Sequence, residues 1–142
     1  MADRDLALSA RRALECVCSG AEPEAAPEYY GASFVDHVND MELRGLDGVR
    51  RSVELYTSVL DDLSVTVEDQ LVDGDRVTSR FVVTGSHRGR RVRFNGITIS
   101  RFEAGRIVED WSVTDTLGML RQLGLWRSLR VGLAQWRALR GQ

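Results

Sequence analysis

The chain has 142 residues, 43% hydrophobic and 28% charged with two prolines, which is material for one globular domain rather than a disordered tail. A chain of this length hides roughly 70% of its unfolded surface, so it forms a core without metal or disulfide support. A formal charge of −2 argues against the basic surface that nucleic acid requires, and no apolar run approaches the ~20 residues of a membrane span.

The N-terminal Met1-Ala2-Asp3-Arg4-Asp5 has neither the basic stretch nor the apolar run of a secretion signal, so a cytoplasmic protein is expected. Leu6, Ala10, Ala13 and Val17 recur at helical spacing and form one apolar stripe, which Ser19-Gly20 stops. Cys16 and Cys18 lie two apart on this helix and point to different sides. With no further cysteine they read as two reduced thiols, at least one buried. Ala21 to Pro27 turns the chain, and Tyr29-Tyr30 with Phe34 to Val38 suggest a short helix leading into a short strand. Polar Asn39 to Gly45 reads as a loop. Leu46, Val49, Val53, Tyr56 and Leu60 then step by three, four, three and four, the clearest helix in the chain.

From Leu63 the period changes to two. Leu63, Val65 and Val67 alternate with Ser64, Thr66 and Glu68 as a half-buried strand does. Gly74-Asp75 turns the chain into a strand through Val77, Ser79, Phe81 and Val83. Arg91 to Phe102 and Arg106 to Thr114 follow as strands, joined by the tight turn Glu103-Ala104-Gly105. Four consecutive strands with short turns predict an antiparallel meander, one face covered by the preceding helices. Leu117, Leu120 and Leu123 mark a further helix that Gly124 breaks, with Asp115 placed to cap it. Leu125 to Gln142 holds two tryptophans, four arginines and no acid. It reads as an amphipathic C-terminal helix packing on the domain, taken as residues 1–124, or on a partner subunit.

This order of elements resembles the nuclear transport factor 2-like superfamily, and local strings narrow it. Phe34-Val35-Asp36-His37 with Gly45-Leu46-Asp47-Gly48-Val49-Arg50, then Gly74-Asp75-Arg76-Val77 with Val83-Thr84-Gly85-Ser86-His87-Arg88-Gly89, are similar to the SnoaL-like polyketide cyclase family. Gly105-Arg106-Ile107-Val108-Glu109-Asp110-Trp111, Asp115 and Leu120-Arg121-Gln122-Leu123-Gly124 resemble its end. The resemblance implies an α+β fold: a cone-shaped, curved antiparallel sheet wrapped by N-terminal helices, enclosing one apolar pocket. It implies no metal or organic cofactor.

Strand alternation sorts the candidate site residues by face. Val108, Asp110, Ser112 and Thr114 share one side of the last strand; Ile107, Glu109, Trp111 and Val113 share the other. On the strand before, Phe94, Gly96, Thr98 and Ser100 lie together. The resemblance places Gly96, Thr98 and Ser112 toward the pocket. There the sequence departs from the family pattern. The aldol cyclases carry a catalytic aspartate at the position of Ser112, a histidine at that of Thr98 and a glutamine at that of Gly96. A serine hydroxyl is a poor proton acceptor near neutral pH. Asp36 and Asp110 are therefore the candidate catalytic groups, and Tyr56, Phe94, Thr98 and Ser112 the candidate substrate contacts. An aspartate in an apolar pocket should have a raised pKa. His37, next to Asp36, should point away from it, and His87 lies in an arginine-rich turn.

These residues predict a cyclase-like enzyme of polyketide or related natural-product biosynthesis that holds a small apolar chain and promotes ring formation. A non-catalytic binding protein or oxygenase accessory protein is the alternative. Epoxide hydrolysis ranks third, because Arg80 falls on the outer parity with Thr78 and Val82. Ile97, Ile99, Trp111 and Val113 would form an apolar outer patch, and a homodimer is expected.

Overall fold

The computed structural model describes residues 2–124 and Leu129. Helix α1 (Asp3–Arg12) buries Leu6 and Ala10, with Asp3 and Asp5 in its first turn and Arg11 and Arg12 in its last, each charge complementing the helix dipole. It continues as a π-helical turn, Ala13–Cys18, that buries Ala13, Leu14 and Val17. After a 3₁₀ turn at Pro23–Ala25 and the short α2 (Ala26–Tyr29), strand β1 (Tyr30–Val38) begins without an intervening loop. Strand β2 (Met41–Arg44), helix α3 (Gly45–Thr57), strands β3 (Asp61–Asp73), β4 (Arg76–His87), β5 (Arg90–Glu103) and β6 (Arg106–Thr114), and helix α4 (Thr116–Gln122) follow. Asp115 caps α4, its Oδ1 accepting from the Gly118 amide at 2.8 Å.

The six strands form one curved sheet in the order β2-β1-β6-β5-β4-β3. The meander predicted for the second half is present as β3 to β6, all antiparallel. Its β5–β6 turn has positive φ at Ala104 (49°) and Gly105 (78°), as a type I′ hairpin requires. Strand β1 joins the sheet parallel to β6, which sets Asp36 beside Asp110.

Three expectations need correction. Asn39 to Gly45 is not all loop. Asn39 (φ 52°) turns the chain so that Met41–Arg44 pairs back on β1 as an edge strand, whose mostly exposed side chains leave no alternation to read. Strand β1 is nine residues rather than short. Ile107 does not share the outer face with Glu109. A bulge in β6 pairs Arg101 with Glu109 but Phe102 with Ile107, so parity flips and Ile107 is 1% exposed in the core. The expected helix at Leu125 to Gln142 lies outside the described residues.

Helices α1 and α3 and the π-turn pack on the inner face of the sheet, giving two apolar clusters. One gathers Leu6, Ala10, Val17, Phe34, Phe102 and Ile107; the other gathers Leu14, Leu60, Val65, Phe81, Val83 and Phe94. A cavity opens between them. No helix among the described residues is long and apolar enough to cross a membrane.

Candidate functional site

The cavity holds about 670 Å³ of empty space, counted out to its open mouth. Leu14, Phe34, Val38, Val49, Val65 and Phe81 make its walls largely apolar. The chain brings carboxyls into this wall by alternation: Phe34, Asp36 and Val38 on β1 and Asp110, Ser112 and Thr114 on β6 point the same way. Asp36 and Asp110 are direct partners across the parallel β1–β6 pair. They are 8% and 6% exposed, and in each the Oδ1 atom has no hydrogen-bond partner among the described residues. Buried polar atoms are normally paired. Asp36 and Asp110 thus line one cavity, each with a buried oxygen left unpaired among the described residues.

Burial disfavours the charged form of both groups. Asp110 is pushed up to about 8 by burial, with a hydrogen bond to Ser100 opposing and the Asp36 charge adding to the rise. Asp36 is pushed up to about 6 by burial, with His37 drawing it down. The two titrate as a pair. His37 itself stands on the other face, its Nε2 2.9 Å from Glu109 Oε1 and its ring stacked on Trp111, where the sequence placed it. His87 Nδ1 lies 2.8 Å from the Val59 carbonyl oxygen, away from the cavity lining.

Of the six predicted site residues, Asp36, Asp110, Tyr56 and Ser112 line the cavity. Thr98 and Phe94 stand behind it. Ser112 Oγ donates to Thr98 Oγ1 at 2.7 Å, and Thr98 is only 1% exposed. Phe94 belongs to the second apolar cluster and stacks on the Tyr56 ring with centroids 6.0 Å apart. The Tyr56 hydroxyl lies 3.4 Å from Thr114 Oγ1, to which Asn39 Nδ2 also donates. Arg80 is on the outer face, paired with Glu68. Among the described residues no cluster of His, Cys, Asp and Glu could hold a metal ion.

Tyr30, Cys18 and Ser52 also line the cavity, and sequence reasoning missed them. Parity counted back from Phe34 and Asp36 does not reach Tyr30, because the β1 register shifts between Tyr30 and Val35. The direction of Cys18 depends on the π-turn.

The model for the SnoaL-like polyketide cyclase family matches residues 8–123. The chain belongs to this family. Its fold is nuclear transport factor 2-like, as the resemblance implied. A candidate polyketide cyclase from Bacillus cereus is 29% identical with a TM-score of 0.77, over 85% of this chain and 81% of that one. TsrD from Streptomyces laurentii is 26% identical with a TM-score of 0.76, over 87% and 98%. IdmH from Streptomyces antibioticus, at 24% identity and a TM-score of 0.72 over 87% and 99%, shares the fold. No curated protein matches. This SnoaL-like protein has no room for a side chain at one of the positions where it departs from the family pattern. A Cβ on Gly96 would lie 2.3 Å from Phe81 Cζ, so the Phe81 ring occupies the space a side chain at 96 would need.

Proposed function

We propose that the cavity receives a small, largely apolar chain carrying an enolisable carbonyl, and that Asp36 and Asp110 promote its ring closure as base and acid. The observation supporting this is the carboxyl pair: two register partners, each with an unpaired buried oxygen, turned into one apolar cavity. Environments that push two like groups apart in pKa assign their roles. Asp36, ionised at neutral pH, takes a proton from the carbon beside the carbonyl. Asp110, still protonated, donates to the carbonyl oxygen. The resulting enol carbon attacks a second carbonyl of the same chain, forming the ring bond; Asp36 returns its proton to the new alkoxide, and Asp110 takes back the proton from the oxygen of the re-formed first carbonyl. Walls that hold the chain folded can supply up to about 7–11 kcal/mol of the barrier by orientation. Family membership supports cyclase-type chemistry.

The test is turnover of a substrate that the wild type cyclises. Asp36→Asn and Asp110→Asn should each lower the rate by about 10²-fold or more. Full turnover by both variants would overturn the acid/base roles and leave only the shape of the cavity. A second reading, a binding or oxygenase-accessory protein without its own activity, is favoured by one observation. Ser112 and Thr98 satisfy each other where the cyclases carry aspartate and histidine. Unaided turnover above the uncatalysed rate rejects it. We propose further that two copies associate through the outer face of β5 and β6.

A further inference from the structure

The Tyr30 hydroxyl sits in the cavity wall with a poor partner. The residue is 3% exposed, and its ring packs on Phe34 with centroids 4.7 Å apart. Its hydrogen-bond partner among the described residues is Cys18 Sγ, 3.3 Å away. A thiol is a weak donor and a weak acceptor. A buried tyrosine normally finds a better partner for its O–H than sulfur. Phenylalanine would fill the same apolar wall without that cost.

The partner is itself set by an unusual element. Cys18 closes the π-helical turn Ala13–Cys18, a rare winding that recurs at functional sites. Both side chains line the same cavity as Asp36 and Asp110. Burial holds the phenol well above its ordinary pKa, with Cys18, Asp110 and Asp36 pushing the same way. Burial likewise pushes the Cys18 thiol up to about 12, partly offset by its bond to Tyr30. The phenol therefore keeps its proton and remains a donor. Among the described residues no cationic side chain lines the cavity to take that part.

We propose that Tyr30 is a catalytic residue: on ligand entry its hydroxyl exchanges Cys18 Sγ for the ligand's carbonyl oxygen, which it receives together with Asp110. This rests on the carbonyl reading of the site given above. No bond to Tyr30 forms or breaks. The phenol keeps its proton, and the charge that develops on the oxygen as Asp36 removes the carbon-bound proton is shared between two donors. Preorganised donors aimed at a developing oxyanion, in a largely apolar wall, stabilise the charge more than they would in water. The ligand class is an enolisable ketone. A planar phenol that gives its proton to Asp36 presents the same oxygen without turnover.

Substituted nitrophenols, whose absorbance separates phenol from phenolate, provide the test on the full chain. The wild type should bind them with the ionised form favoured. Tyr30→Phe and Asp110→Ala should each weaken binding by about tenfold or more, the usual worth of a hydrogen bond to a charged group. Cys18→Ala, which releases the hydroxyl from sulfur, should hold or tighten binding. In a Cys16→Ser background the S–H stretching band of Cys18 should shift on ligand binding, and Tyr30→Phe should abolish that shift. If Tyr30→Phe folds poorly by circular dichroism, the Cys18→Ala affinity and the infrared band decide. Weakened binding by Cys18→Ala or an unmoved band would overturn the proposal. Unchanged affinity in a folded Tyr30→Phe, with Asp110→Ala still weakened, would overturn the role of Tyr30 and leave the carboxyl pair standing. Absence of nitrophenol binding to the wild type would overturn both readings.

Discussion

Placing two carboxyls in one apolar cavity makes their charges expensive, and that expense should be visible in stability as well as in rate. Asp36 and Asp110 have ordinary values of 3.8 and rise to about 6 and about 8 in the fold. Between those limits the native state holds protons that the unfolded chain has released. Stability is therefore full below about pH 4 and falls as pH rises, through about 6 for Asp36 and about 8 for Asp110. Asp110→Asn, which resembles the protonated acid, removes most of that fall. Denaturant melts should find the variant close to the wild type near pH 4 and more stable by on the order of 5 kcal/mol near pH 9. A parallel slope in both proteins would show that Asp110 is not the buried titrating group. The rate should carry the opposite pair of limbs: rising through about 6 as Asp36 ionises, falling through about 8 as Asp110 loses its proton. A pH–rate profile with no limb in that range would remove both from the chemistry. The two aspartates were legible in the sequence because strand parity and a family string converge on them. Tyr30 and Cys18 were not, since one sits at a helix-to-strand junction and the other on a turn whose winding only the tertiary structure reveals.

At the level of elements, alternation served well wherever a strand was regular and failed at each irregularity. Strand β5 follows the predicted period of two, as β3 does from Leu63 to Val67 before a bulge reverses its parity, because one face is buried against helices and the other meets solvent. The bulge that turns Ile107 inward has no signature in its own residues, and β2, with mostly exposed side chains, shows no alternation. The pairing of β4 with β5 makes a sharper prediction. Phe81 and Gly96 are cross-strand partners, and the ring lies where a Gly96 side chain would begin. Gly96→Ala should cost about 1–3 kcal/mol by overpacking. Because Phe81 lines the cavity, its displaced ring should also weaken nitrophenol binding. Pairing the change with Phe81→Leu should recover much of both losses, a coupling that a double-mutant cycle measures. Additive losses in that cycle would mean that the two positions do not share the space the structure gives them.

For the whole molecule, the same alternation that turns Asp110 and Ser112 into the cavity turns Trp111 and Val113 to the opposite face. There Ile97 pairs with Val113 and Ile99 with Trp111, and Ile97 and Val113 remain 49% and 68% exposed. Adjacent β-branched side chains left in water on a flat sheet face form an apolar patch suited to a second surface. An isologous pair of these faces would bury it. Sedimentation of the wild type should therefore give twice the 15.9 kDa of one chain, and Val113→Arg, which sets like charges against each other across a two-fold axis, should give the single mass. The cavity lies on the other side of the sheet and all the groups assigned to it come from one chain, so the separated chains should bind nitrophenol as the pair does. A wild type that sediments as one chain refutes the association. A Val113→Arg monomer that folds but no longer binds would show instead that the cavity depends on a neighbour, and the assignment of its chemistry to Asp36, Asp110 and Tyr30 of a single copy would have to be redrawn.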